Sequence, residues 1–328
     1  MEGFETCAGK HVRCTKETRG QAWANCPGWP DRSRALDREA TGLAVEINTN
    51  LDRFETTGFV ILKGFYPDRV VEAARRDAGE LVDRFADRLM AAGKISRDHG
   101  DAPFETRLAR ICEDAPDDAP HIFRKELHLA GMYEVFFHPP LLDIVETLLG
   151  EELRLYPNYS IRPKLPDHAP TLVLWHQDGG YTYKVHRDGD HSAETVDALR
   201  MINVWSPLVP AREDNGCMQF IPGTHRIGMA RHEDREYYLE IKQEDLAPYV
   251  DQAVSIEMDP GDIVLFHNML YHQGLPNRSD QVRWSMDWRY QDARQPTLRS
   301  TTGHLARSRL HPEKVVRDAG DWVRRSFQ

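Results

Sequence analysis

Gly261-Asp-Ile-Val-Leu-Phe-His-Asn-Met-Leu-Tyr-His272-Gln-Gly-Leu-Pro-Asn-Arg-Ser-Asp-Gln-Val-Arg283 holds the short apolar run Ile263–Phe266 and the opening of a second run, Val282–Tyr290, with turn signals between them. Runs this short and this rich in branched and aromatic side chains read as strands. Working outward, the same rhythm recurs upstream in Leu153–Ile161, Thr171–Trp175, Met201–Leu208, Cys217–Ile221 and Ala253–Ile256. Strands that follow one another without intervening helical patterns predict an antiparallel sandwich or barrel, not a parallel sheet. Two polar stretches, Lys184–Asp197 and Arg226–Asp251, are too long for hairpin turns, and long insertions of this kind are expected as lids or binding loops.

Ahead of residue 153 the pattern is different. Gly58-Phe-Val-Ile-Leu-Lys-Gly64 encloses one short strand. After Pro67-Asp68, Val70, Val71, Ala74, Ala78, Leu81, Val82, Phe85 and Leu89 recur at three- and four-residue steps, the signature of an amphipathic helix. Pro139-Pro140 and Gly150 bracket a second helix built on Leu141, Leu142, Ile144, Val145, Leu148 and Leu149. A polar helix candidate follows Pro312.

The 328 residues are 40% hydrophobic and 29% charged, enough for a sizeable core. Their net charge of −10 argues against a general nucleic-acid binder, which would show a basic face. No apolar run approaches the ~20 residues that span a bilayer, and the N-terminus lacks the basic and apolar regions of a signal peptide. Five cysteines, an odd number, do not make a disulfide framework. A cytoplasmic setting is the expectation, with no membrane or nucleic-acid partner. Cys7, His11, Cys14 and Cys26 lack the close pairing of structural zinc sites, so these cysteines are expected as free thiols.

Histidine and carboxylate spacing carries the chemistry. Three His-x-Asp triplets occur, at His176-Gln-Asp178, His186-Arg-Asp188 and His232-Glu-Asp234. The second lies in a hydrophilic loop and the third in a charge-rich stretch that reads as surface. Only His176 follows an apolar strand. Residues two apart on a strand share a face, so His176 and Asp178 can converge on one metal. An ordinary strand end with both side chains bonded to backbone fits these residues equally well. The second cluster favours the metal: a late strand delivers His272, and the next carries Arg283. Two histidines and a carboxylate leave coordination positions open, as suits non-haem Fe(II), while a nearby arginine is a fixed fork for a carboxylate. His267 is a rival ligand, but its odd separation from His272 directs it elsewhere. His225, closing a Pro-Gly-Thr-His turn, reads as a hydrogen-bonded structural residue.

His176-Gln-Asp178 with His272 and Arg283 resembles the phytanoyl-CoA dioxygenase family of Fe(II)/2-oxoglutarate oxygenases. Gly58–Phe65, Asn203-Val-Trp205-Ser-Pro-Leu, Asn215-Gly-Cys-Met-Gln-Phe-Ile-Pro-Gly-Thr-His225 and Arg283-Trp-Ser285 resemble further family segments, so the likeness runs from about Leu51 to Tyr290. It implies a mainly β double-stranded β-helix (a cupin-like jelly roll) with flanking α-helices. It implies His176, Asp178 and His272 as the catalytic iron ligands. It also implies that Arg283 binds the distal carboxylate of 2-oxoglutarate, with Ser285, Gln177 and Trp205 lining the co-substrate site. The reaction implied is O2-dependent oxidation of an unactivated C–H bond in a small organic molecule, with decarboxylation of 2-oxoglutarate to succinate. Halogenating relatives replace the carboxylate ligand with a small residue, so Asp178 points to hydroxylation or a related oxidation.

This reading divides the chain into an N-terminal extension (1–45), an oxygenase domain (46–292, its jelly-roll core about 153–290) and a C-terminal extension packed on that domain (293–328). Tyr181, Tyr183, His186 and His191 are candidates to face substrate. The competing readings are a jelly-roll protein that binds a metal or ligand without catalysis, and a zinc hydrolase on a cupin-like barrel.

Overall fold

The computed structural model describes residues 52–185 and 192–327, together with a strand pair, Thr6–Cys7 with Lys10–His11, in a separate unit spanning Met1–Ala40. The expectation about zinc and thiols near the N-terminus lies outside the described residues, as do His186, Asp188 and His191. The remaining described elements belong to the unit Thr41–Gln328.

Strand β1 (Phe59–Leu62) leads into α1 (Asp68–Ala91), α2 (Phe104–Asp114), α3 (Ala130–Phe136) and α4 (Pro139–Leu149). Helix α1 starts after Pro67 and buries the face that carries Val70, Ala74, Ala78, Leu81, Val82, Phe85 and Leu89, as the periodicity requires. The β-rich half follows: β2 (Leu153–Leu155), β3 (Ser160–Lys164), β4 (Val173–His176), α5 (Asp178–Val185), α6 (Ala193–Asp197), β5 (Met201–Pro207) and β6 (Met218–Phe220). Then come β7 (His232–Asp234), β8 (Leu239–Ile241), α7 (Gln243–Leu246), β9 (Val254–Ile256), β10 (Ile263–His267), β11 (His272–Gly274) and β12 (Arg283–Asp292). The chain ends with β13 (His304–Arg307) and α8 (Ala319–Arg324).

Two antiparallel sheets face each other. The larger runs β13-β2-β12-β5-β10-β1, with β3 also paired to β12; the smaller runs β9-β6-β11-β4. Strand β12 shows what each face does. Trp284, Met286, Trp288 and Tyr290 join one apolar cluster with the buried faces of α1 to α4. The alternate residues Arg283, Ser285, Asp287 and Arg289 therefore point to the other side of the sheet. There Trp205, Val264 and Phe266 of the larger sheet pack with Met218 and Phe220 of the smaller one. The polar half of β12 thus faces the space between the sheets, and the helices cover the outside. This is the expected mainly β jelly roll with flanking helices.

The structure departs from the sequence reading in places. Leu153–Ile161 divides into β2 and β3, and α2 and α3 had no assignment. The stretch Arg226–Asp251 forms the hairpin β7–β8 and helix α7. Past residue 292 the chain adds β13 to the larger sheet and buries Trp322, whose indole N–H donates to the Leu127 carbonyl at 3.1 Å. Among the described residues no helix is long and apolar enough to cross a membrane.

Candidate metal centre

His176 and Asp178 do not share a strand. His176 ends β4 and Asp178 opens α5, so a strand-to-helix turn, not strand periodicity, brings them together. The turn fits because Gly179 and Gly180 follow. A Cβ on Gly179 would lie 2.6 Å from Met269 Sδ, and one on Gly180 would lie 2.8 Å from the His232 ring.

His272 pairs directly with His176 across β11 and β4, and the two ring centroids are 4.0 Å apart. The Nδ1 of His176 bonds the Leu174 carbonyl at 2.7 Å, and that of His272 bonds the Leu270 carbonyl at 2.8 Å. A carbonyl only accepts, so each Nδ1 carries the hydrogen and each Nε2 keeps its lone pair. Those Nε2 atoms lie 3.7 and 3.9 Å from the Asp178 carboxylate oxygens. One ligand atom from each of the three residues falls within 4.8 Å of the others.

The charge states suit a metal. Burial and the neighbouring His176 push His272 down to about 3, so its ring is neutral near pH 7. Burial opposes ionisation of Asp178, but the Arg289 guanidinium and the two histidines outweigh it and hold the carboxyl well below its ordinary range. Two imidazole lone pairs and a carboxylate meeting at one point fit a divalent iron with open positions for further ligands.

Arg289 was not anticipated. It sits on the inner face of β12, ion-paired to Asp178, and its Nη1 is buried without a partner. Its signal in the sequence was its even spacing from Arg283, which places both on one face of a strand. His232 corrects the surface reading of its triplet. The ring is half-buried, bonds the Ala230 carbonyl through Nδ1 at 2.9 Å, and accepts the Gln177 backbone N–H through Nε2 at 3.3 Å. Gln177 itself donates to the carbonyls of Gly228 and Met269 and accepts the Ala230 N–H, so its amide ties the metal-centre turn to the neighbouring loops. His267 accepts the Met269 N–H and lies against His225 and Phe54, apart from the three-residue group.

Arg283 lies at the far end of the same inner face, 4% exposed. Ser285 accepts a hydrogen bond from its Nη1, the Trp205 ring lies 5.5 Å from its guanidinium carbon, and its Nε has no partner. Lys164, opposite Arg283 in the β3–β12 register, is a second cation that sequence reasoning missed. Its Nζ donates to the Gly274 and Leu275 carbonyls at 3.1 and 2.5 Å, and no carboxylate among the described residues pairs with it. Burial first, and then Arg283, push the lysine well below its ordinary value. Two buried cations side by side are costly without an anion between them.

The sequence pattern of the phytanoyl-CoA dioxygenase (PhyH) family matches residues 54–285. The chain is 28% identical over 258 residues to 1-deoxypentalenic acid 11-beta-hydroxylase of Streptomyces arenae, covering 74% of this chain and 81% of that one. It is 34% identical over 250 residues to dioxygenase cdmA of Talaromyces verruculosus, covering 73% and 72%. Among solved structures, EctD from S. alaskensis with 2-oxoglutarate and 5-hydroxyectoine superposes with a TM-score of 0.54 at 20% identity, over 81% of this chain and 87% of that one. The apo non-heme monooxygenase ThoJ gives 0.52 at 22% identity, over 78% and 83%. At such identities the structural likeness speaks for the fold.

Proposed function

The chain belongs to the phytanoyl-CoA dioxygenase (PhyH) family and is an iron- and 2-oxoglutarate-dependent oxygenase, and from that premise we propose the parts its residues play and the reaction it performs. His176, Asp178 and His272 hold the iron. Arg283 and Lys164 receive the distal carboxylate of 2-oxoglutarate, with Ser285 bracing the guanidinium and Trp205 walling the pocket. The reaction is hydroxylation of an unactivated C–H bond in a small organic molecule. The observation that carries this reading is the pair of Nε2 lone pairs fixed by Nδ1–carbonyl bonds and aimed at one ionised carboxylate.

Bound at this centre, iron with 2-oxoglutarate and O2 supplies the oxidising power that breaks a C–H bond. The protein's share is positioning and exclusion of water. The Leu174 and Leu270 carbonyls keep both rings in the tautomer that ligates. Arg289 keeps Asp178 ionised and fixed in place. Gln177 has a positioning part, holding the turn between the two ligands against the 228–230 segment.

The test is conversion of 2-oxoglutarate to succinate, with Fe(II) and O2 each omitted in turn. Omission of either should abolish turnover. His176→Ala and Asp178→Ala should each lose both iron and turnover, whereas His232→Ala should retain measurable iron. Turnover that persists without iron would refute the assignment.

A further inference from the structure

We propose that Arg124 and Arg162 form an anion subsite beside the metal centre, and that the substrate is an organic acid whose carboxylate is seated there. The proposal rests on the oxygenase reading above and adds the chemical class of its substrate.

Ser160 and Arg162 of β3 lie across from Asp287 and Ser285 of β12, on the inner face of the larger sheet. One oxygen of Asp287 accepts both the Ser160 hydroxyl at 2.8 Å and the Arg162 Nε–H at 2.5 Å. The guanidinium is thereby held by its Nε edge. Its two terminal nitrogens make no hydrogen bond to any described residue and the side chain is 29% exposed, so the end that meets a carboxylate with two parallel bonds is not used by the protein.

Arg124 is fixed next to this strand, because Phe123 exchanges both backbone hydrogen bonds with Ile161 at 2.9 and 3.0 Å. Its Nε is buried and has no partner. No carboxylate of a described residue pairs with its guanidinium; Glu126 accepts only its backbone N–H, at 3.2 Å. Asp287 is ion-paired to Arg162 and Asp178 to Arg289, so Asp287 reaches Arg124 only through its field, which is outweighed by burial and by Arg162. Burial and the like charge of Arg162 push Arg124 down to about 10. The same positive field, after burial, pushes His121 down. Asp287 already offsets that cost for Arg162, whose charge is favoured over its ordinary state, whereas Arg124 gains an anion of its own only if one joins the pair.

The subsite adjoins the metal centre. Tyr181 packs edge-on against the His176 ring at 5.3 Å, and its hydroxyl lies within electrostatic reach of both Asp178 and Arg162. It also borders the co-substrate pocket, since Arg162 lies across from Ser285. Lys164 lies two residues along β3 from Arg162, a step of about 7 Å on the same face.

The test uses the full-length protein loaded with Fe(II) and 2-oxoglutarate under nitrogen, titrated with octanoate and cyclohexanecarboxylate and with their uncharged primary amides. Binding is read by calorimetry or ligand-observed NMR, so catalysis is not needed. The acids should bind about tenfold or more tighter than the amides. Arg124→Gln should erase that preference and leave 2-oxoglutarate affinity within about twofold. Arg162→Gln strands Asp287, so Arg162→Gln/Asp287→Asn serves as its charge-balanced counterpart and should behave like Arg124→Gln. The subsite is overturned if amides bind as well as acids, if no acid binds below about 10 mM, or if Arg124→Gln weakens 2-oxoglutarate instead. Repeating the acid–amide comparison without iron or 2-oxoglutarate keeps failure of the oxygenase reading separate from failure of the subsite.

Discussion

Lys164 and Arg283 place two basic side chains side by side where each residue is less than 5% exposed. Neither charge is stable there on its own, and the Lys164 carbonyl bonds relieve only part of the desolvation. A dianionic co-substrate would supply the missing counter-charge, so Lys164→Met should raise the 2-oxoglutarate KM by about tenfold or more, the worth of a charge-assisted hydrogen bond. It should also shrink the rise in melting temperature that 2-oxoglutarate produces. If the lysine only ties down residues 274–275, Lys164→Met will lower stability and leave the KM unchanged. Arg283→Ala should raise the KM further; unchanged affinity there would unseat the anchor itself. The two cations differ in how legible they were. Arg283 stood at a readable spacing after His272. Lys164 ends Ser160-Ile-Arg-Pro-Lys, which looks like a charged strand edge facing solvent. Only the pairing register with β12 reveals that it points inward.

At the scale of elements, the β4–α5 turn decides the metal centre. The His-x-Asp spacing was readable, but its physical reason was not, because strand periodicity and a strand-to-helix turn both bring such a pair together. The runs that became β5, β10 and β12 were legible because side chains buried on at least one face must be branched or aromatic. The β7–β8 hairpin was not, since His232-Glu-Asp is polar and its burial depends on long-range contact with Gln177. That contact makes a prediction at Gly180. A methyl group there would meet the His232 ring at 2.8–3.2 Å, so the ring or the first turn of α5 must shift. Gly180→Ala should therefore weaken Fe(II) affinity by about tenfold or more, as disturbed supports of metal ligands do. Anaerobic Fe(II) titration checks this, and wild-type affinity would show that the turn has slack.

Over the whole molecule, the apolar face of the larger sheet is closed by helices, and stability depends on how those helices meet each other as well as the sheet. The −10 net charge argued against a general nucleic-acid partner but could not show that the inner face of β12 and β3 carries Arg283, Arg289, Arg162 and Lys164. One acidic residue does matter to the helical layer. Asp77 of α1 accepts the Met132 N–H at 2.8 Å at the start of α3, where Gly131 lets the helices approach closely. Burial, only partly offset by that hydrogen bond, raises its carboxyl from 3.8 to about 6. The folded state then holds a proton that the unfolded chain has already released. The resulting stabilisation is full below the unfolded value and is lost as pH rises through the folded one, between about 4 and 6. Asn at this position keeps an acceptor for Met132 and does not titrate. Melting curves of wild type and Asp77→Asn should therefore diverge with pH, the wild type losing stability relative to the variant between about pH 4 and pH 7. Other carboxylates titrate in the same window, but they are common to both proteins and cancel in the difference. A constant gap across that range would mean that Asp77 is ionised in the folded protein throughout, and that the contact between α1 and α3 does not bury its charge.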